Sequence, residues 1–424
     1  MNILLGLVVL LVLMALALPM GAALGLAGVI TLANTVPASS IVAIMTEVVH
    51  SNVASSLMLA IPMFVLMSEF LACGGVAEDL LLSCNRMLHR VRGGMAMACI
   101  LAGAVHAAAT GSSTASAASL AKASFPAMMK AGYSPSFAVG TISAAGTLAI
   151  MIPPSVAFLL FGLVTETSVG KLFLGGIIPG ILTALAYMVT ITLTLRLKPQ
   201  LGPTRTEEFG KKSDKGGQLL PMMMLIVLVL GGLYSGLATP TEISAIGALG
   251  ALAISLWSRR MTKHGFNDAV GTTLRITGMI VLIIIGAHLF GYYISFSQVT
   301  QTMLGWVSNS GLSPTSVMLL IVFTYLVMGM FMDQAAIIIL TAPITTSLMV
   351  GLGYDPVWWG IIIIKTAEIG MIHPPLGMVT FVTARATKVD LKSSFLGVIP
   401  FLIAEMFTLG LLIAFPQLTL YLGG

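Results

Sequence analysis

"GTLAIMIPPS", residues 146 to 155, lies within a long apolar stretch and interrupts it with two adjacent prolines. Proline has no amide hydrogen to donate, so Pro153 and Pro154 break a helix and free the carbonyls one turn earlier. In a bilayer, such non-helical backbone is tolerated only where it is buried in protein or lines a cavity. The bilayer is the right setting: of 424 residues 57% are hydrophobic and 8% charged, where an ordinary soluble domain has roughly 25% charged. Mean hydropathy is +1.03. A spanning helix needs about 20 apolar residues, and about a dozen runs approach that length, among them Leu219 to Tyr234, Ile276 to Phe296 and Phe395 to Phe415. The fold class is therefore an all-α polytopic membrane protein.

The remaining bulk features are bland. Cys73, Cys84 and Cys99 show no CxxC spacing and sit in apolar surroundings, as packing residues do. The net charge of +5 says less than where the basic residues fall, and no nucleic-acid partner is expected. Residues 1 to 20 have the apolar core of a signal peptide but no Lys or Arg before it, so a retained first helix is expected.

Basic residues cluster at Arg86 to Arg92, Arg196 to Lys215, Arg259 to Lys263 and Arg385 to Lys392, and the positive-inside rule places all four in the cytoplasm. Even numbers of crossings must join them. Two helices with a turn near Ser235 to Thr241 fit between Lys215 and Arg259. Between Arg92 and Arg196 the expectation is a hairpin re-entering from one side (about 95 to 130), a crossing out (136 to 165) and a crossing back (172 to 195), with Lys171 as an outside exception. After Lys263 follow a crossing out (275 to 297), an outside hairpin (314 to 350), a crossing in (356 to 383) and a last helix, 394 to 422.

This layout exposes a repeat. "GYSP" (132 to 135) precedes Pro153 by 18 positions counted from Pro135, and "GYDP" (353 to 356) precedes Pro374 by 18 counted from Pro356; 221 positions separate the two units. The same offset carries Ser112 and Ser113 of "TGSSTAS" to Asp333 and Gln334 of "FMDQAA". One unit opens with a hairpin from the cytoplasm, the other with a hairpin from outside. Inverted repeats with broken helices are the arrangement of many secondary transporters, which bind substrate and ions near the midplane. The corresponding divisions are 1–92, N-terminal scaffold; 93–198, first repeat; 199–311, cytoplasmic loop and central scaffold; 312–424, inverted second repeat and C-terminal helix.

Freed carbonyls together with the hydroxyls of Ser112, Ser113, Thr114 and Thr147 make an oxygen-only surrounding, suited to a hard monovalent cation such as Na⁺ rather than a soft metal. The second unit offers Asp333, Glu368, Gly370 and carbonyls around Ile372 to Pro374. Intramembrane charges are functional candidates. Lys365 and Glu368, spaced i, i+3, either pair with each other or meet substrate or ion. His106, His288 and His373 are either proton carriers or packing residues.

These residues resemble a known family. "AIPMFVLMSEFLACGGVAEDLL" (60 to 81), "GSSTASAAS" (111 to 119), "GTLAIMIPPS", "FLGGIIPG" (173 to 180) and "EIGMIHPPLG" (368 to 377) look like the large membrane subunit of tripartite ATP-independent periplasmic (TRAP) transporters, over nearly the whole chain. The resemblance implies an elevator-type secondary transporter of the bacterial inner membrane, driven by a Na⁺ gradient. It implies a soluble periplasmic substrate-binding protein that delivers an organic acid, and a small four-helix membrane subunit as a separate chain. No cofactor is implied beyond Na⁺ as coupling ion, and no enzymatic activity. One Na⁺ site would lie between Ser112, Ser113 and the broken segment Gly146, Thr147, Ile150, Pro153; the other between Asp333 and Gly370, Ile372, Pro374. Lys365, Glu368 and Arg385 are the candidates to meet a substrate carboxylate. One departure stands out: the family commonly reads "IGLITPPVG", and here His373 replaces the Thr.

Two other classes compete. An intramembrane enzyme finds no HExxH pair and no sequence motif supplying a base to Ser112 or Ser113. A stand-alone ion-coupled anion exchanger without a binding protein would use the same inverted repeat.

Overall fold

The computed structural model describes residues 3–88, 90–203 and 219–424, and all regular structure among them is helical. The basic residues between 204 and 218, part of the cluster that ends at Lys215, lie outside the described residues. Five helices come first: α1 (Ile3–Ala15), α2 (Met20–Leu32), α3 (Ala38–Ala54), α4 (Ser56–Cys73) and α5 (Val76–Leu88). The first unit holds α6 (Gly94–Thr110), α7 (Ser113–Lys130), α8 (Pro135–Met151), α9 (Val156–Thr165) and α10 (Val169–Leu197). The centre holds α11 (Leu219–Tyr234), α12 (Pro240–Trp257), α13 (Lys263–Phe296) and α14 (Val299–Ser310). The second unit holds α15 (Pro314–Phe331), α16 (Gln334–Gly351), α17 (Pro356–Ile372), α18 (Met378–Thr387) and α19 (Leu391–Ala414), and α20 (Gln417–Gly423) ends the chain.

Shifting α7 by 221 positions lands on both ends of α16, and shifting α8 lands on both ends of α17; the starts of α10 and α19 differ by 222. The local chemistry explains the shared motif. Gly132 (φ +86°) and Gly353 (φ +92°) take the left-handed conformation that closes a helix in a Schellman motif. Tyr133 N–H donates to Met128 O at 3.1 Å and Tyr354 N–H to Met349 O at 3.0 Å. The next residue caps the following helix: Ser134 Oγ accepts from Phe137 N at 3.3 Å, and Asp355 Oδ1 accepts from Val357 N and Trp358 N at 2.8 and 3.0 Å. Pro135 and Pro356 occupy the first helical position, where a missing N–H costs nothing. "GY-S/D-P" is thus one helix stop fused to one helix start.

The two helices that end at a double proline form the centre of the molecule. α8 is buried at every position from Phe137 to Met151, and α17 from Val357 to Ile372. A helix covered on all sides has no polar face to keep, which is why α8 carries no charge and α17 only Lys365 and Glu368. The hairpins pack reciprocally: α7 lies on α18 and α16 lies on α9, so each unit's hairpin rests on the half-helix of the other. Outside this core, α2 and α13 approach closely at Gly21 and Gly28, the small-residue packing that membrane helices favour. On α10, Ile181, Leu185, Val189 and Leu193 recur every fourth residue and are all about half exposed; an apolar stripe of this kind fits a lipid-facing surface.

Two expectations need correction. Among the described residues seven spans are long and apolar enough to cross a membrane, α8 with α9 counting as one, or eight if bent α3–α4 counts as one, fewer than the dozen apolar runs. The last helix does not run to 422. It stops at Ala414, because a residue before proline is pushed out of the helical region; Phe415 has φ −127° and ψ 77°, and after Pro416 the short α20 turns back onto α10.

Candidate functional site

Each hairpin tip meets a helix break. In the first unit Gly111 (φ +57°) turns the chain between α6 and α7, and a Cβ built on it would lie 3.3 Å from Pro154 O and 3.2 Å from Val156 N. Only glycine allows both that conformation and that approach. Gly146 in turn packs against Ala117 of α7. Ser113 is buried and its Oγ has no hydrogen-bond partner, whereas Ser112 Oγ pairs with Thr114 Oγ1 at 3.3 Å. Pro153 and Pro154 cannot donate to the carbonyls of Ala149 and Ile150, so the break adds acceptors close to the tip. The peptide bonds Pro153–Pro154 and Pro374–Pro375 are both cis.

In the second unit Asp333 stands where Ser112 stands in the first, as the N-cap of the second hairpin arm. It is exposed, and its Oδ2 accepts from Ala335 N at 3.0 Å. Gln334 reaches the broken helix directly, donating from Nε2 to Ile364 O at 3.4 Å. Gly329 and Gly370 bring α15 against α17. The carbonyls at this break have internal donors: His373 N–H donates to Gly370 O at 3.1 Å, and Thr380 Oγ1 to Ile372 O at 3.2 Å. His373, in the place of the family's threonine, sets its Nδ1 2.6 Å from Pro374 O.

The hydroxyl of Thr147 also faces a second cluster. It is bonded to Tyr187 at 2.9 Å, and Tyr187 donates to Glu405 in a short contact. Glu405 forms a close ion pair with Lys365. Lys365 Nζ also lies 3.5 Å from Glu368 Oε2 and donates to Thr183 Oγ1 at 3.0 Å. The Lys365 and Glu368 side chains pair as their i, i+3 spacing allows, and Lys365, Glu368 and Glu405 are all 0% exposed. Four helices, α8, α10, α17 and α19, meet at this cluster. Arg385, in the last turn of α18, is exposed.

Glu405 and Tyr187 escaped the sequence reading. Glu405 is an acid within the apolar run from Phe395 to Phe415, a signal that marks functional or paired groups, but its partner lies 40 residues away in sequence. Tyr187 gave no signal. Among the described residues no group of three or more His, Cys, Asp or Glu is arranged to hold a metal ion.

Two units of matching helices, each pairing a hairpin with a helix broken at a double proline, define a secondary-transporter architecture. The chain belongs to the family described as "Tripartite ATP-independent periplasmic transporter, DctM component", whose model matches residues 7–418. It is 36% identical over 368 residues to the C4-dicarboxylate TRAP transporter large permease protein DctM of Pseudomonas aeruginosa, covering 86% of each chain. With the protein of the same description from Vibrio cholerae it shares 32% over 362 residues, 79% of each. Among solved structures, the Alcanivorax borkumensis YdaH transporter superimposes with a TM-score of 0.66 at 16% identity, over 97% of this chain and 98% of that one, a likeness of fold. This is a permease component of the inner membrane, not an enzyme, and its family works with a small membrane subunit and a periplasmic binding protein.

Proposed function

We propose that this chain carries a small organic acid, handed over by a periplasmic binding protein, into the cell together with Na⁺, by an elevator movement of the two hairpins and two broken helices against the remaining helices. The observation that supports it is the double meeting of hairpin tip and helix break, with Ser113 Oγ buried and unpartnered beside it. A buried hydroxyl without a partner is costly, and a bound cation ligated by it would relieve that cost. One ion site comprises Ser112, Ser113 and the carbonyls of Gly146, Ile150 and Pro153; Thr147 contributes backbone only, its hydroxyl being held by Tyr187. The second comprises Asp333 with the carbonyls of Gly370, Ile372 and Pro374. These carbonyls suffice without the family's threonine hydroxyl, since a carbonyl that accepts one hydrogen bond keeps a second lone pair.

The substrate class follows the relatives, two of which are described as C4-dicarboxylate permeases. Arg385 is the exposed cation proposed to meet its carboxylate; Lys365 and Glu368 are already closed within the cluster. The test is uptake into proteoliposomes containing this chain and its small membrane subunit, with and without an imposed Na⁺ gradient and with and without binding protein. Uptake that needs both supports the proposal. Uptake that proceeds without binding protein favours the stand-alone exchanger, and uptake indifferent to Na⁺ removes the coupling ion.

A further inference from the structure

Arg260 belongs to a basic cluster that so far marks only the side of the membrane. It lies in the turn between α12 and α13, and its half-buried guanidinium reaches one short stretch of chain three times. Nη1 donates to Gly75 O at 3.1 Å and to Gly74 O at 3.4 Å, and Nη2 donates to Asp79 Oδ1 at 3.1 Å. That stretch is the joint between α4 and α5. The cation sits at the C-terminal end of α4, and the carboxylate it holds is in the first turn of α5, each where the helix dipole favours its sign. Gly75 (φ +66°) leaves the room, since a Cβ built on it would collide with Nη1.

The joint separates two sets of helices. Before it, α4 packs on α12 and α13: Ser255 Oγ donates to Phe70 O, the Phe70 and Phe266 rings stack at 5.6 Å, and a Cβ on Gly74 would stand 2.7 Å from Ser255 Oγ. After it, α5 packs mainly on α6 and α7, the first hairpin. Shifted by 221 positions, α5 falls within two residues of α14, which packs on α16 of the second hairpin. The second joint is built differently. Gln298 (φ +52°) turns the chain there, no Asp, Glu, Lys or Arg lies between Arg275 and Asp333, and among the described residues no ion pair reaches it. Its hydrogen bonds are local, from Ser297 Oγ to Ile294 O at 2.9 Å and from Thr302 Oγ1 to Gln298 O at 3.0 Å.

We infer that Arg260 is a positioning residue for transport, the pivot and catch of the first arm. It keeps hold of the Gly74 and Gly75 carbonyls throughout, while its pair with Asp79 closes in the arrangement seen here and opens as α5 swings with the hairpin. The inference rests on the elevator reading. Arginine suits the task because its planar fork carries five donors and serves two carbonyls and a carboxylate at once. The carbonyls belong to the joint and stay with α4; Asp79 lies a turn into α5 and travels with it. The Arg260 side chain is 35% exposed, and an ion pair open to water on one side is cheap to break, so the catch biases the arm without freezing it.

The test is single-molecule energy transfer in the full chain with its small membrane subunit in lipid nanodiscs, with dyes on non-natural residues at Trp257, exposed at the end of α12, and Lys130, exposed at the end of α7. The background protein shows two exchanging distances, one of them that of this structure. Asp79→Asn lowers the share of this arrangement relative to the other by about threefold to tenfold, and Arg260→Gln lowers it further, because the carbonyls lose their donor as well. Asp268→Asn, which removes the pair with His264 at the same end of the scaffold, leaves the ratio unchanged. Two distances whose ratio Asp79→Asn does not shift, or which Asp268→Asn shifts as much, overturn the inference and leave the elevator reading standing. A single fixed distance alongside active uptake overturns both. Asparagine keeps the shape of aspartate, so should Arg260→Gln fail to fold, Asp79→Asn still decides the matter.

Discussion

Gly329 and Gly370 face each other so closely that a Cβ on Gly329 would stand 2.9 Å from the Gly370 Cα and 2.8 Å from Ala367 O. The second hairpin is thereby held against the broken helix by backbone, with no side chain between. Gly329→Ala must push α15 away from α17, an overpacking that costs roughly 1–3 kcal/mol. The expected outcome is a lowered thermal midpoint together with weakened uptake, measured on the same preparation.

Asp333 has two separable duties. As an N-cap its oxygen satisfies Ala335 N–H, a role asparagine fills nearly as well, whereas alanine loses about 1 kcal/mol. As a proposed ion ligand its charge matters. Asp333→Asn should therefore keep stability in K⁺ and lose much of the added stability in Na⁺. Equal Na⁺ stabilisation in wild type and Asp333→Asn would exclude the carboxylate from the second site.

Ser113→Ala removes a buried hydroxyl that has no protein partner, so without Na⁺ the variant should be as stable as the wild type or slightly more so. A ligand that binds only the folded state stabilises it by RT ln(1 + [L]/Kd). The Na⁺ titration of the thermal midpoint should shift to higher concentration in Ser113→Ala, with K⁺ at matched ionic strength as the control. His373→Thr is expected to leave that titration unchanged; a strong gain in Na⁺ affinity would show that the carbonyls alone are insufficient.

His106 is fully buried on α6 with neither ring nitrogen hydrogen-bonded. Removing an unpaired polar group from an apolar setting relieves its desolvation, worth about 1–3 kcal/mol. His106→Leu should raise the thermal midpoint; if uptake also survives, the imidazole is no proton carrier.

The repeat was legible because its punctuation is local: a left-handed glycine, a cap, an N1 proline and a double proline each act within a few residues. Positions 132 to 135 and 353 to 356 therefore revealed α7–α8 and α16–α17. The hairpin tips were legible for the same reason, since Ser112 and Asp333 are caps. The cluster was not. Thr147, Tyr187, Lys365 and Glu405 come from four helices, and nothing local to any of them names its partners. The bond from the Thr147 hydroxyl to Tyr187 therefore gave no sign in the sequence, and Pro416 was passed over within a run whose hydropathy continues across it.

The reciprocal seating of α7 on α18 and α16 on α9 also bears on how the protein is made. The first hairpin packs on α5 and α8, made next to it, but the part of its seat that α18 supplies exists only once residue 387 has been synthesised. Contacts so distant along the chain close late and slowly. Until then the insertion machinery, or the lipid itself, shelters a polar-tipped loop, and neither half of the gene encodes a unit with all its contacts in place.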